Sequence, residues 1–155
     1  MGYWVEELGA TTGLERMDGV NDNLTSWSYN HNFHVGSLNS WFYKHLSGIS
    51  ALTPGYGQVR IKPFIPDDMD YTEAVVNTVK GLVKSAWSKE WGKLILNIGI
   101  PANVTAEVYI PNFDKRSIFE SGMPVERVPN IEYMHTDEKY TVYKVVSGQY
   151  CFEIY

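Results

Sequence analysis

The hydrophobic period of this chain changes near residue 53, and no other feature restricts its fold as much. Upstream, in VGSLNSWFYKHLSGI, the residues Leu38, Trp41, Phe42, His45, Leu46 and Ile49 recur at helical spacing. Lys44 and His45 precede Gly48 as cations precede a terminating glycine, so a helix over residues 35–49 with one buried face is expected, with Trp41 packed on its stripe. ALTPGYGQ then breaks the pattern with Pro54, Gly55 and Gly57. Downstream the period is two: QVRIKPF, KLILNIGIP, TAEVYIP, YTVYKVV and QYCFEIY alternate apolar with polar residues between Gly, Pro and Asn.

That alternation predicts a mainly β fold, an antiparallel β-sandwich of about seven or eight strands over residues 57–155, preceded by a helical segment over residues 1–52. GLVKSAWSKEWGKLILNIGI reads as a hairpin closed around Glu90 to Gly92, with Trp87 and Trp91 as cross-strand filler. Pro101 to Asn103 should turn the following strand back. One helix and a polar, aromatic-rich loop cannot make a core of their own. The first 52 residues must therefore cover the sandwich or belong to a larger helical domain.

Composition narrows the function classes. With 155 residues, 44% hydrophobic and 14% aromatic, the chain can bury a core. A formal charge of −5 without a basic stripe excludes nucleic acid as a partner. Cys151 is the only cysteine, which leaves no disulfide framework and no cysteine metal cluster. No apolar run approaches the roughly 20 residues that cross a bilayer, so no membrane partner is expected. MGYWVEELG lacks the basic and apolar regions of a signal peptide, and the chain as written is expected in the cytoplasm. Two sequons, at Asn23 and Asn103, read as turn chemistry. No phosphate loop or nucleophile elbow occurs, and no cofactor is expected.

The densest polar cluster is GATTGLERMDG, residues 9–19, where Glu15, Arg16 and Asp18 stand beside Gly9 and Gly13. Thr12-Gly13-Leu14-Glu15 fits a capping box, in which the glutamate only returns a hydrogen bond to a helix N-terminus. His31 and His34 lack a third partner in a metal-ligating pattern, so no metal site is expected. Tyr3, Trp4, Trp27, Tyr29 and Phe33 are rings of the kind that stack on sugars, though such rings more often fill cores.

Taken in order, GATTGLERMDG, SYNH, GSLNSWFYKHLSGI, PGYGQVRIKPF, KSAWSKEWGKLILNIGIPANVTAEVYIP and SGQYCFEIY resemble the C-terminal end of bacterial α-L-rhamnosidases. The resemblance covers nearly the whole chain. It implies that residues 1–52 are the end of an (α/α)6 barrel, followed by a small β-sandwich, in a glycoside hydrolase that inverts configuration. It also implies that Glu15 is the general base, with a sugar-binding or base-orienting role for His31 in Ser28-Tyr29-Asn30-His31. His34 is the alternative, because the spacing from His31 to Gly36 is one residue long. Arg16, Asp18, Trp4 and Trp27 become candidate substrate contacts. The family's general acid lies upstream of residue 1, so the chain alone is expected to be inactive. The implied partners are a rhamnose-containing glycan and the remainder of the barrel, and an uncovered helix predicts self-association. The competing reading is a non-enzymatic β-sandwich module that binds carbohydrate or a partner protein, with Glu15 as a cap.

Overall fold

The computed structural model describes residues 6–7, 32–112 and 117–155, with the backbone alone for residues 32–35. The chain divides into two compact units, residues 1–41 and 42–155, whereas the border expected from sequence lay between residues 52 and 57. In the first unit, helix α1 spans Asn32–Trp41. The second opens with a single π-helical turn, Phe42–Leu46, closed by the Ser47 amide donating to the Phe42 carbonyl at 3.0 Å, an i to i+5 bond.

The expected helix over 35–49 therefore ends early. The wider π turn shifts the later side chains off the 3.6-residue stripe, so Leu46 and Ile49 are buried while Trp41 (43% exposed), Phe42 and His45 are exposed. Ile49 opens strand β1, Ile49–Ala51.

Ten more strands follow among the described residues: β2 (Gln58–Ile61), β3 (Tyr71–Thr78), β4 (Gly81–Glu90), β5 (Lys93–Ile100), β6 (Thr105–Pro111), β7 (Ile118–Glu120), β8 (Met123–Pro124), β9 (Ile131–Thr136), β10 (Tyr140–Val145) and β11 (Gly148–Ile154). They make two sheets, ordered β1-β2-β6-β10-β9 and β3-β4-β5-β11-β7-β8. The mainly β sandwich is as expected, with more strands than seven or eight. The additional ones are short, as β7 and β8 are, lie at a sheet edge, as β3 and β9 do, or were hidden in the helical pattern, as β1 was.

Every pairing is antiparallel except β2 with β6, which run parallel because β3, β4 and β5 intervene in the opposite sheet. Pro101–Asn103 accordingly carries the chain from one sheet to the other. It does not close a hairpin, although Asn103 takes the left-handed conformation (φ 59°) of turn residues. The β4–β5 hairpin closes as expected on Trp91 and Gly92, both left-handed (φ 51° and 82°), as a two-residue type I′ turn requires. Trp91 is fully exposed there, while Trp87 is 1% exposed and packs in the core opposite Leu96 of β5, a cross-strand pair.

Alternation along β4, β5, β6 and β11 turns Val83, Trp87, Leu94, Leu96, Ile98, Val108, Ile110, Phe152 and Ile154 between the sheets. Each such side chain contributes roughly 1.5–3 kcal/mol by leaving water. Leu46 and Ile49 belong to the same cluster, which makes the π turn and β1 part of the sandwich core.

Gly48 lets the chain enter this core. Its φ is +76°, and a Cβ there would collide with the backbone of Lys62 and Pro63, where the Lys62 amide donates to the Gly48 carbonyl at 3.0 Å. Gly48→Ala should cost about 2–5 kcal/mol from left-handed strain and overpacking together. Chemical denaturation would show this as a large fall in midpoint with the slope unchanged.

Candidate functional site

The residues that lead into the sandwich are held by side chains from far along the chain. Trp87 on β4 donates its indole N–H to the Leu46 carbonyl at 3.1 Å, and the Ser85 hydroxyl donates to the Ser47 carbonyl at 2.7 Å. Both donors are buried, as are Leu46 and Ser47. A π turn leaves its last carbonyls without intrahelical partners, and β4 supplies those partners. The Phe64 amide closes the same seam on the His45 carbonyl at 2.9 Å. The point at which residues upstream enter the sandwich is thus fixed by buried hydrogen bonds.

On the outward face of the five-stranded sheet, the register sets Arg60 beside Glu107 and Val142 beside Tyr109. The Lys62 ammonium lies 4.8 Å from the Tyr109 ring centre and 4.6 Å from that of Tyr140. Such exposed cation–π contacts contribute about 0.5–1 kcal/mol each. Asp137, at the β9–β10 turn, accepts the Lys139 and Tyr140 amides on one oxygen at 2.7 and 2.6 Å. Those two bonds hold its carboxyl below the usual range.

On the other sheet, Lys93 and Glu153 pair at 2.7 Å; this hydrogen bond lowers the Glu153 carboxyl and raises the Lys93 ammonium. Burial raises the Cys151 thiol, helped by Glu153 and Glu120, so it stays protonated at neutral pH and is not a nucleophile.

Between the sheets, where β7 and β8 face β9 and β10, a cleft of about 920 Å³ opens. Ile118, Val125 and Ile131 form its apolar wall. Its polar side is built by a β-bulge. Tyr143 pairs with Tyr133 but Val142 with His135, so Met134 is the extra residue, and Tyr133 and Thr136 both share the inner face with Thr141 and Tyr143. The Tyr133 hydroxyl donates to Thr136 Oγ1 and the Thr136 hydroxyl to Thr141 Oγ1, both at 3.3 Å. The Tyr133 and Tyr143 rings meet edge to face at 6.1 Å. Burial, reinforced by Glu126 and then Tyr133, pushes the Tyr143 hydroxyl up to about 12, which keeps it a hydrogen-bond donor across ordinary pH.

Glu15, Arg16, Asp18, His31, Trp4 and Trp27, the site residues expected from sequence, lie outside the described residues. His34 falls within α1 by its backbone, and its side chain lies outside them. Among the described residues no three His, Cys, Asp or Glu side chains form a metal-ligating group. Sequence reasoning missed the joint at 46–48 and the cleft. A Ser and a Trp two residues apart on one strand face, in SAW, were a local signal for the former.

Residues 48–123 match the family model of the bacterial α-L-rhamnosidase C-terminal domain. An α-L-rhamnosidase from Streptomyces avermitilis is 32% identical over 115 residues, covering 71% of this chain and 11% of that protein. One from Formosa agariphila is 27% identical over 150 residues, covering 94% of this chain and 16% of that protein. Among solved structures, an α-L-rhamnosidase from Dictyoglumus thermophilum superposes with a TM-score of 0.84 at 32% identity, over 99% of this chain and 17% of that one. The Streptomyces avermitilis α-L-rhamnosidase complexed with L-rhamnose gives 0.81 at 28% identity, over 99% of this chain and 14% of that one. The chain thus spans well under a fifth of each of these relatives.

Trp87→Phe removes the donor to the Leu46 carbonyl and should destabilise the sandwich by about 1–3 kcal/mol, read from a denaturation midpoint. Stability should also follow pH at both ends. The lowered carboxyls of Asp137 and Glu153 favour the fold above their unfolded values near 4, and that contribution is lost as pH falls through their folded values. Tyr143 acts oppositely: the unfolded chain releases the tyrosine proton near pH 10 and the folded one near 12, so stability drops as pH rises through that window. Tyr143→Phe should flatten part of the alkaline loss in melts recorded against pH.

Proposed function

Because its sandwich is a bacterial α-L-rhamnosidase C-terminal domain, we propose that this chain is the C-terminal part of an enzyme that hydrolyses terminal α-L-rhamnose with inversion. The observation that carries the reading is the superposition with two rhamnosidases over 99% of this chain, reaching well upstream of the sandwich.

In this reading Glu15 is ionised at neutral pH and takes a proton from the water that attacks the anomeric carbon. A carboxylic acid from the upstream barrel protonates the leaving oxygen. Inversion requires the two carboxyls roughly 6.5–9.5 Å apart, which leaves room for that water. Arg16 and Asp18 orient Glu15 and bind hydroxyls, His31 or its alternative His34 binds a sugar hydroxyl, and Trp4 and Trp27 stack on the ring. The remainder of the barrel is the chain's partner, and without it the chain self-associates.

The chain alone should not hydrolyse an aryl α-L-rhamnoside, because half of an acid–base pair is missing. Joined to an upstream rhamnosidase barrel it should turn over, and Glu15→Gln should then lower kcat by about 10²- to 10⁴-fold. Turnover by the isolated chain would contradict this reading, as would full activity of the joined Glu15→Gln variant.

A further inference from the structure

The cleft is lined by described residues of the Phe42–Tyr155 unit alone. At about 920 Å³ it falls in the range of small-molecule sites, roughly 300–1,000 Å³. Its two sides differ in chemistry. Ile118 offers an apolar surface from β7, while Tyr133, Thr136, Thr141 and Tyr143 bring four hydroxyls to the β9–β10 face, which Ile131 shares. The β-bulge at Met134 is what places Tyr133 and Thr136, three residues apart, on the same side of β9. Glu126 supplies one carboxylate, and no Lys, Arg or His occurs among the described lining residues.

We propose that this cleft is a second carbohydrate site, which binds a neutral pyranose of the enzyme's glycan. A pyranose carries a C–H face that packs on aliphatic and aromatic surface and a rim of hydroxyls that both donate and accept. The cleft offers both, with Ile118 on the β7 side and the four hydroxyls on the β9–β10 side, where Ile131 also lies. Tyrosine and threonine hydroxyls meet sugar hydroxyls in either sense, and a single carboxylate bridges neighbouring ones. The 6-deoxy methyl of rhamnose suits the apolar surface of Ile118. Only the choice of rhamnose as the sugar rests on the rhamnosidase reading.

The test is titration calorimetry and saturation-transfer NMR of the 155-residue chain with methyl α-L-rhamnopyranoside and with a rhamnose-terminated disaccharide. Saturable binding is expected with a dissociation constant on the order of 1 mM. Thr136→Val, a change of one exposed hydroxyl, should weaken it roughly 3- to 10-fold, the equivalent of one hydrogen bond. Tyr133→Ala should abolish it with the unfolding midpoint nearly unchanged, since that side chain is 59% exposed. Glu15→Gln should bind as the parent does. Absence of binding overturns the proposal, and so does unchanged affinity in both cleft variants. Binding lost in Glu15→Gln but kept in Tyr133→Ala would place the sugar at the barrel remnant, which overturns the cleft and leaves the rhamnosidase reading standing. Cleft binding together with no turnover after joining to a barrel would do the reverse.

Discussion

Two buried hydrogen bonds tie the entry of the sandwich to its core: Trp87 to the Leu46 carbonyl and Ser85 to the Ser47 carbonyl. A chain leaving a helical segment for a β-sandwich must bury backbone carbonyls at the changeover, and each one left unpaired would cost about 1–3 kcal/mol. Strand β4 removes that cost by presenting two donors at alternate positions of its inner face. The positive φ of Gly48 then permits the turn into β1, and β1 extends the sheet that carries β2, β6, β10 and β9. Replacing any part of this joint would loosen the core as well as the link.

In the enzyme proposed above, the general base comes from outside the sandwich, and the sandwich contributes the joint at residues 46–49. A general base works only when its carboxylate is held to a fraction of an ångström. The joint holds Leu46 and Ile49 in the sandwich core.

Much of this fold was legible in the sequence because central strands of a sandwich have one dry face and one wet one. Leu94, Leu96 and Ile98 alternate with Ile95 and Asn97, and the Trp91-Gly92 turn between β4 and β5 reads directly. Edge strands were harder: β9, written IEYMHT, is exposed along nearly all its length and so carries no alternation. The helix was overextended because period alone cannot register a switch from i+4 to i+5 bonding at Phe42. The hydrogen bond of Trp87 was missed for another reason: its partner, the Leu46 carbonyl, lies 41 residues away, beyond any local pattern. The catalytic candidates were legible only through family resemblance, since Thr12-Gly13-Leu14-Glu15 by itself is equally a cap. The cleft was not legible, because its shape depends on a bulge that brings residues of four strands together.

The most direct measurement is the anomeric form of the sugar first released, followed by proton NMR, when the chain joined to an upstream barrel cleaves an aryl α-L-rhamnoside. With Glu15 as a base that activates water across the ring, β-L-rhamnose appears first and the α form grows in by mutarotation. Initial release of α-L-rhamnose would mean a covalent intermediate and would contradict the role assigned to Glu15.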